Sequence, residues 1–385
     1  MEDWRKYEFG EVVTLSKEKY NPKKDKDNFK CIELEHLESE TGRLLGYTDS
    51  ITQQSVKNKF KPGSVLFGKL RPYLKKFHFP QFHGVCSSEI WVLEGTEGKV
   101  LNEYLYYLIQ SNRFSQNANK SAGSKMPRAD WSYVSEVIFA VPTLEEQQKI
   151  ASILSTWDKV IELKEKLIEQ KKEQKKGLMQ KLLTGEMRLP GFEEDWKEIR
   201  LGNYLIKHNE KSEYSDQYPV LTSSRKGIFL QKDYYLGNEV ASNDNTGYNV
   251  VPYGFFTYRH MSDDLTFKFN INTIVEKGIV STLYPVFTTK NLNSQFLLLK
   301  LNEGNEFKRF ALNQKQGGSR TYMYFSKLEE LIITVPSLEE QSSIAKLVGH
   351  MEKQITLLET ELYYLKEQKQ GLIQLLLTGK VRVKV

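Results

Sequence analysis

One segment of this chain is written twice. Displaced by 194 positions, Val141-Pro-Thr-Leu-Glu-Glu-Gln147 falls on Val335-Pro-Ser-Leu-Glu-Glu-Gln341. The match runs without a gap to Arg188 and Arg382, with 24 identities in 49 between positions 141–189 and 335–383. A second echo opens each half: Asp3-Trp4 followed by Gly10, and Asp195-Trp196 followed by Gly202. The chain therefore alternates variable and shared segments, twice over. A repeat of this kind means that one structural unit recurs and that copies bury surface against each other or their neighbours. Length alone leaves the choice open, because 385 residues suggest two or three domains at about 150 each.

Both shared segments read as long helices. Thr143-Leu-Glu-Glu146 and Ser337-Leu-Glu-Glu340 have the form of a capping box, a hydroxyl at the N-cap and a carboxylate three residues on. Gly185 and Gly379 supply the left-handed stop. Each helix is then about 40 residues, roughly 60 Å. The apolar positions recur at spacings of three and four, as in a coiled coil. In the first helix the stripe holds Ile150, Leu154, Trp157, Ile161 and Ile168. In the second it holds Ile344, Val348, Met351, Ile355, Leu358, Leu362 and Leu365. Neither stripe can be buried alone, so the economical solution is that the helices bury each other, antiparallel, and offer outer faces to partners. The plainer alternative is that each helix packs on its own domain. Gly177 and Gly371 occupy equivalent positions; a close approach of the backbones or a harmless leftover would explain them.

The expected division is 1–142, a globular domain; 143–185, a long helix; 186–194, a linker; 195–336, a second domain; 337–379, the second helix; and 380–385, a tail. The variable segments hold short β-rich runs such as Ile90-Trp-Val-Leu93 and Leu331-Ile-Ile-Thr-Val335, and helical ones such as Leu101 to Ile109. The fold class is α+β: two globular domains separated by two long antiparallel helices, with a pseudo-two-fold internal repeat. Between the shared segments the halves match faintly, at Gly84-Val-Cys-Ser-Ser88 over Gly278-Ile-Val-Ser-Thr282.

The net charge of +6, from 55 basic and 49 acidic residues, is too small to identify a partner, but the positive charge is local. Lys57 to Lys76 carries Lys69, Arg71, Lys75 and Lys76 without an acid. Lys120, Lys125 and Arg128 surround Ser121-Ala-Gly-Ser124. In the second half Arg225, Lys226 and Arg259 lie in apparent turns, and Lys315 and Arg320 flank Gly317-Gly318. Basic Gly/Ser loops suit phosphate contact through side chains and backbone N–H groups, so these clusters are candidate DNA contacts; ordinary surface lysine is the competing explanation.

Catalytic signatures are missing. Gly63 to Leu70 approaches a phosphate-binding loop, but Leu70 stands where a Mg²⁺-binding hydroxyl is needed and Pro72 follows. There is no Gly-x-Gly-x-x-Gly and no Asn-Pro-Pro-Tyr/Phe segment to hold a flipped adenine. Six histidines show no metal spacing, and two cysteines, Cys31 and Cys86, cannot build a disulfide framework or a cysteine zinc site. No apolar run of about 18 residues suggests a membrane span, and the expectation is a reduced, cytoplasmic protein without bound metal.

The repeated Val-Pro-x-Leu-x-Glu-Gln-x-x-Ile-Ala, the Leu-Leu-Thr-Gly-x-x-Arg that ends each helix, and Pro190-Gly-Phe-x-x-x-Trp196 together resemble the DNA-specificity (S) subunits of type I restriction–modification systems. The resemblance covers the whole chain. It implies two target-recognition domains reading a bipartite, asymmetric double-stranded DNA target, with the helices as a ruler between half-sites. It implies partners: two methyltransferase subunits that modify adenine N6, and two restriction/translocase subunits. AdoMet, Mg²⁺ and ATP would then belong to those partners, and this chain would be a non-catalytic, prokaryotic subunit. The rival readings are a coiled-coil adaptor that reads no DNA and a nuclease or methyltransferase with degenerate motifs.

Overall fold

The computed structural model describes residues 4–120, 126–235, 244–315 and 320–384. The chain divides into two compact units, one of Met1–Lys166 with Glu359–Val385, the other of Leu167–Leu358. Each boundary falls inside a long helix: Leu144–Thr184 and Leu338–Leu377 contribute a part to each unit.

The first unit is tied shut by a two-stranded antiparallel sheet, Arg5–Glu8 on Ile138–Val141. A four-stranded sheet follows, in the order Val13–Leu15, Ile90–Gly95, Val65–Gly68, Phe77–His78. A five-stranded sheet around Gly84–Cys86 completes it and contains one parallel pairing, with Lys30–Ile32. Helices Asn102–Leu108 and Asn112–Ala118 cover the four-stranded sheet. The core gathers Phe9, Phe67, Leu93, Tyr104 and Phe114. Cys31 and Cys86 are both buried free thiols.

The second unit repeats that framework. Lys197–Arg200 pairs with Ile332–Val335. A four-stranded sheet runs Leu205–His208, Val286–Thr289, Phe256–Tyr258, Phe269–Ile271, the same order by position. Helices Ser294–Glu303 and Asn305–Asn313 replace the earlier helix pair. The halves diverge at the five-stranded sheet, whose place in the order of elements is taken by separate pairs, Leu221–Ser224 with Gly227–Leu230 and Asn249–Pro252 with Lys277–Val280. The faint Gly84/Gly278 echo has a steric cause. A Cβ on Gly84 would lie 2.4 Å from the Phe60 ring, and one on Gly278 would lie 2.5 Å from the Leu221 side chain.

The long helices do two jobs. Ile150 and Leu154 are fully buried in the first core beside Ile373 and Leu376, and Ile344 and Val348 in the second beside Met179 and Leu182. The helix ends are thus parts of the globular cores. Ile168 and Ile355 are buried outside those clusters, while Trp157, Ile161, Met351, Leu358, Leu362 and Leu365 are half-buried. Within each unit the two helices run antiparallel: Lys164–Glu361 at 2.7 Å and Asp158–Lys369 pair in the first, and in the second Lys175–Glu352 pairs at 3.1 Å while Met179 and Leu182 share a core with Ile344 and Val348.

The repeated motifs close on each other's copy. Glu146 Oε1 and Oε2 accept from Arg382 at 2.7 Å, and Glu146 also accepts from Trp4 Nε1 at 3.0 Å. In the second unit Glu340 accepts from Arg188 at 2.8 and 2.7 Å. Each tryptophan ring lies against the glycine that ends a helix, Trp4 on Gly379 and Trp196 on Gly185, both glycines having positive φ. The capping box is therefore only half made. Thr143 Oγ1 accepts from the Glu146 N–H, and Ser337 Oγ from the Glu340 N–H, at 3.3 Å. The carboxylates turn to arginine because a buried charge needs a charged partner more than an exposed N–H needs a cap.

Candidate nucleic-acid interface

In the first unit the strand Val65–Gly68 leads into the turn that carries Lys69 and Arg71. Pro72 opens a single 3-10 turn, Pro72–Leu74, and the flanking Arg71 and Lys75 are left-handed at φ 52° and 46°. A residue with a Cβ pays about 1–2 kcal/mol in that region, and such strain tends to persist where surrounding structure and function demand it. The turn is pinned to the segment after residue 125: Leu70 bridges Arg128, the Arg71 N–H donates to the Pro127 carbonyl and the Ala129 N–H to the Lys69 carbonyl, both at 2.8 Å. Lys69, Lys120 and Arg128 then line one concavity of about 700 Å³ with Trp91, Trp131 and Tyr133.

The second unit has the same site in the same place. Strand Phe256–Tyr258 leads into Arg259 and His260, and Met261–Ser262 pairs with Thr321–Tyr322, which directly follows Arg320. The Met323 N–H donates to the His260 carbonyl at 2.7 Å. So in both units a cationic turn after the third strand of the four-stranded sheet is stitched to a segment that begins within a few residues of a Gly/Ser-containing stretch of the sequence.

Absence of acids along the sequence does not mean absence in space. Arg128 is held by Glu89 at 2.9 Å, which raises its already high pKa. Lys75 meets Glu40 at 3.1 Å, and Lys61 meets Glu94 at 3.3 Å. Lys57 is buried against Glu33. Lys76 donates to the Leu34 carbonyl at 2.6 Å. Arg225 grips Asp264 through two bonds of 2.8 and 2.6 Å, and Arg320 meets Asp263 at 2.9 Å. Arg225, with the Thr266 N–H and the Ser262 hydroxyl, holds the Asp264 carboxyl far below its usual range. Among the described residues Lys69, Arg71, Lys120, Arg259 and Lys315 make no ion pair and remain available to phosphate. Lys226 belongs elsewhere, in a groove of about 910 Å³ with Lys268 and Lys346. Lys125 lies outside the described residues.

Charge-based reading misses the aromatic part of both sites. Lys120 sits 5.8 Å from the Tyr133 ring centre. In the second unit half-buried His260 and exposed Tyr322 and Tyr324 form a ring cluster. Its signal is present in the sequence as Tyr322-Met-Tyr324, since residues two apart in an extended segment share a face.

Among the described residues no group of three His, Cys, Asp or Glu is placed to hold a metal ion, and no helix is long and apolar enough to cross a membrane.

Two mixed α+β units on a duplicated long-helix framework, each presenting a cationic turn, define a modular two-domain binding protein. The profile described as the type I restriction modification DNA specificity domain matches residues 1–172 and again 194–367, and the chain belongs to that family. It is 25% identical over 437 residues to the putative type I restriction enzyme MjaX specificity subunit of Methanocaldococcus jannaschii, covering 100% of this chain and 95% of that protein. The MjaVIII specificity subunit of the same organism is 26% identical over 336 residues, covering 78% of this chain and 75% of the relative. The fold is shared with the crystal structure of an HsdS subunit from Thermoanaerobacter tengcongensis, at a TM-score of 0.55 and 18% identity over 98% of this chain and 97% of that one.

Proposed function

We propose that this chain is the DNA-reading, non-catalytic subunit of a type I restriction–modification complex, and that each unit reads one half of a bipartite target. The observation that carries this reading is the recurrence of one arrangement: a cationic turn after the third strand of the four-stranded sheet, paired with Arg128 in one unit and with Thr321–Tyr322 in the other, in two units whose intervening sequences differ. Constant scaffold with variable surface suits a protein whose two readers must recognise different sequences. Unpaired Lys69, Arg71, Arg259 and Lys315 supply phosphate contact, which positions the duplex. Neighbouring side chains supply base contact, which specifies it. Methyltransferase and restriction/translocase subunits, two of each, assemble on this chain, and AdoMet, Mg²⁺ and ATP are theirs to bind. A cytoplasmic location follows from a chromosomal substrate.

Methylation-site mapping in a host expressing the intact system tests the reading. The expected result is two short half-sites separated by an unspecified spacer of fixed length. A continuous target, or no target, overturns it, and the adaptor reading then gains. Arg71→Ala should weaken binding to every duplex alike and reduce the slope of log K against log salt by about 1. An unaltered slope removes Arg71 from the phosphate path.

A further inference from the structure

The second unit gathers three aromatic rings in one place, two of them exposed tyrosines and the third a half-buried histidine. Tyr322 and Tyr324 are 40% and 53% exposed. Their rings lie nearly parallel, 9° apart with centres at 5.6 Å, and His260 lies 5.2 Å from Tyr324 at 25°. The cluster is rigidly built. Tyr322 belongs to the strand pair with Met261–Ser262, and the Met323 side chain between the two tyrosines is fully buried as an anchor. His260 Nδ1 is engaged by the Leu283 carbonyl, so Nδ1 carries the proton and Nε2 is the outer nitrogen. Among the described residues neither tyrosine hydroxyl has a hydrogen-bond partner.

Aromatic rings held in a fixed cluster offer a partner large contact area with a polar hydroxyl at its rim. Three facts narrow the ligand. Arg259 adjoins the cluster, and Arg320 adjoins the strand that carries Tyr322. Arg320 is already occupied by Asp263, so the rings, not this cation, are the uncommitted surface. At the corresponding pairing the first unit sets Arg128 against Leu70, where the second sets Tyr322 against Met261. The two units therefore offer different chemistry to the same kind of partner. A duplex presents little apolar surface in its grooves, and in the major groove that surface is the thymine methyl group.

We infer that the His260–Tyr322–Tyr324 cluster is a base-reading surface of the second unit and contacts the methyl group of a thymine in the major groove. This rests on the DNA-reading function proposed above and deepens it.

The test uses the full chain in its complex with the methyltransferase subunits and a pool of random-sequence duplexes, from which bound targets are selected. For the unaltered complex, the half-site read by the second unit should contain a thymine. Replacing it with deoxyuridine should lower affinity about fourfold, the worth of one buried methyl group. Tyr324→Ala should abolish that fourfold difference and relax selection at that position about tenfold, leaving the other half-site and the salt slope unchanged. Tyr324→Phe, which keeps the ring, should retain the thymine preference. Three results overturn the inference: a half-site without thymine, no penalty for deoxyuridine, or a Tyr324→Ala complex with unaltered selection. Should Tyr324→Ala fail to fold, Tyr322→Ala takes its place with the same expected outcome, and an absent deoxyuridine penalty overturns the inference without any variant. A complex that selects no sequence at all overturns the DNA-reading function itself, an outcome distinct from losing the thymine contact alone.

Discussion

Gly177 and Gly371 sit at matching positions of the two long helices, and a methyl group on either would meet nothing within 4 Å. Close approach between backbones is therefore not the reason for them. Both are exposed, and glycine in a helix interior costs about 1 kcal/mol relative to alanine. Gly177→Ala and Gly371→Ala should each stabilise the chain by about that amount, read as a higher urea midpoint with an unchanged m-value. A loss of stability in either would show that some packing need sets the glycine after all. The opposite case is Gly84, where the Phe60 ring leaves no room for a Cβ.

At the scale of the element, the Glu–Arg–Trp braces fix each helix start to the end of the other helix's repeat. Glu146 is 1% exposed and Arg382 anchors it with two bonds. Removing the arginine leaves a buried carboxylate without its partner, so Arg382→Ala should cost about 3 kcal/mol. Burial pushes the Glu146 pKa up, but Arg382 and the Trp4 N–H outweigh it and leave it below the ordinary 4.5. A carboxyl lowered in the folded state stabilises above its unfolded pKa and loses that contribution as pH falls through the folded value. The advantage of the native chain over Arg382→Ala should thus be full at neutral pH and shrink below about pH 4.5; thermal unfolding of both across that range measures it, and a constant gap would contradict the pairing. The second brace lacks one bond, because Trp196 Nε1 is buried with no acceptor among the described residues. Sequence identity between the repeats did not show this inequality, since both motifs read alike.

For the whole molecule, the compact units are not the segments that the sequence divides into. Each takes in the start of one long helix and the end of the other. Both helices run from one unit into the other, so each helix is shared by the two units. If they set the spacer, inserting one heptad into each at matching positions should lengthen the tolerated spacer and leave both half-sites unchanged. An identical spacer in that variant, mapped by methylation, would sink the ruler idea.

Much of the architecture was legible because a gapless repeat, helix caps and three-four spacing are local signals. The helices run as Leu144–Thr184 and Leu338–Leu377, inside the segments 143–185 and 337–379 drawn from the caps. The interface was less legible, because charge along the chain is not charge in space. Arg128, Arg225 and Arg320 look free until the fold brings Glu89, Asp264 and Asp263 to them. By itself the sequence determined the duplication, the two long helices and the membership of the family, since these are written in contiguous residues. Only the tertiary structure decided that Glu146 pairs with Arg382 and Glu340 with Arg188, across repeats rather than within them. A long helix holds its own two ends far apart, so the carboxylate at its start can meet only the arginine carried by the antiparallel copy.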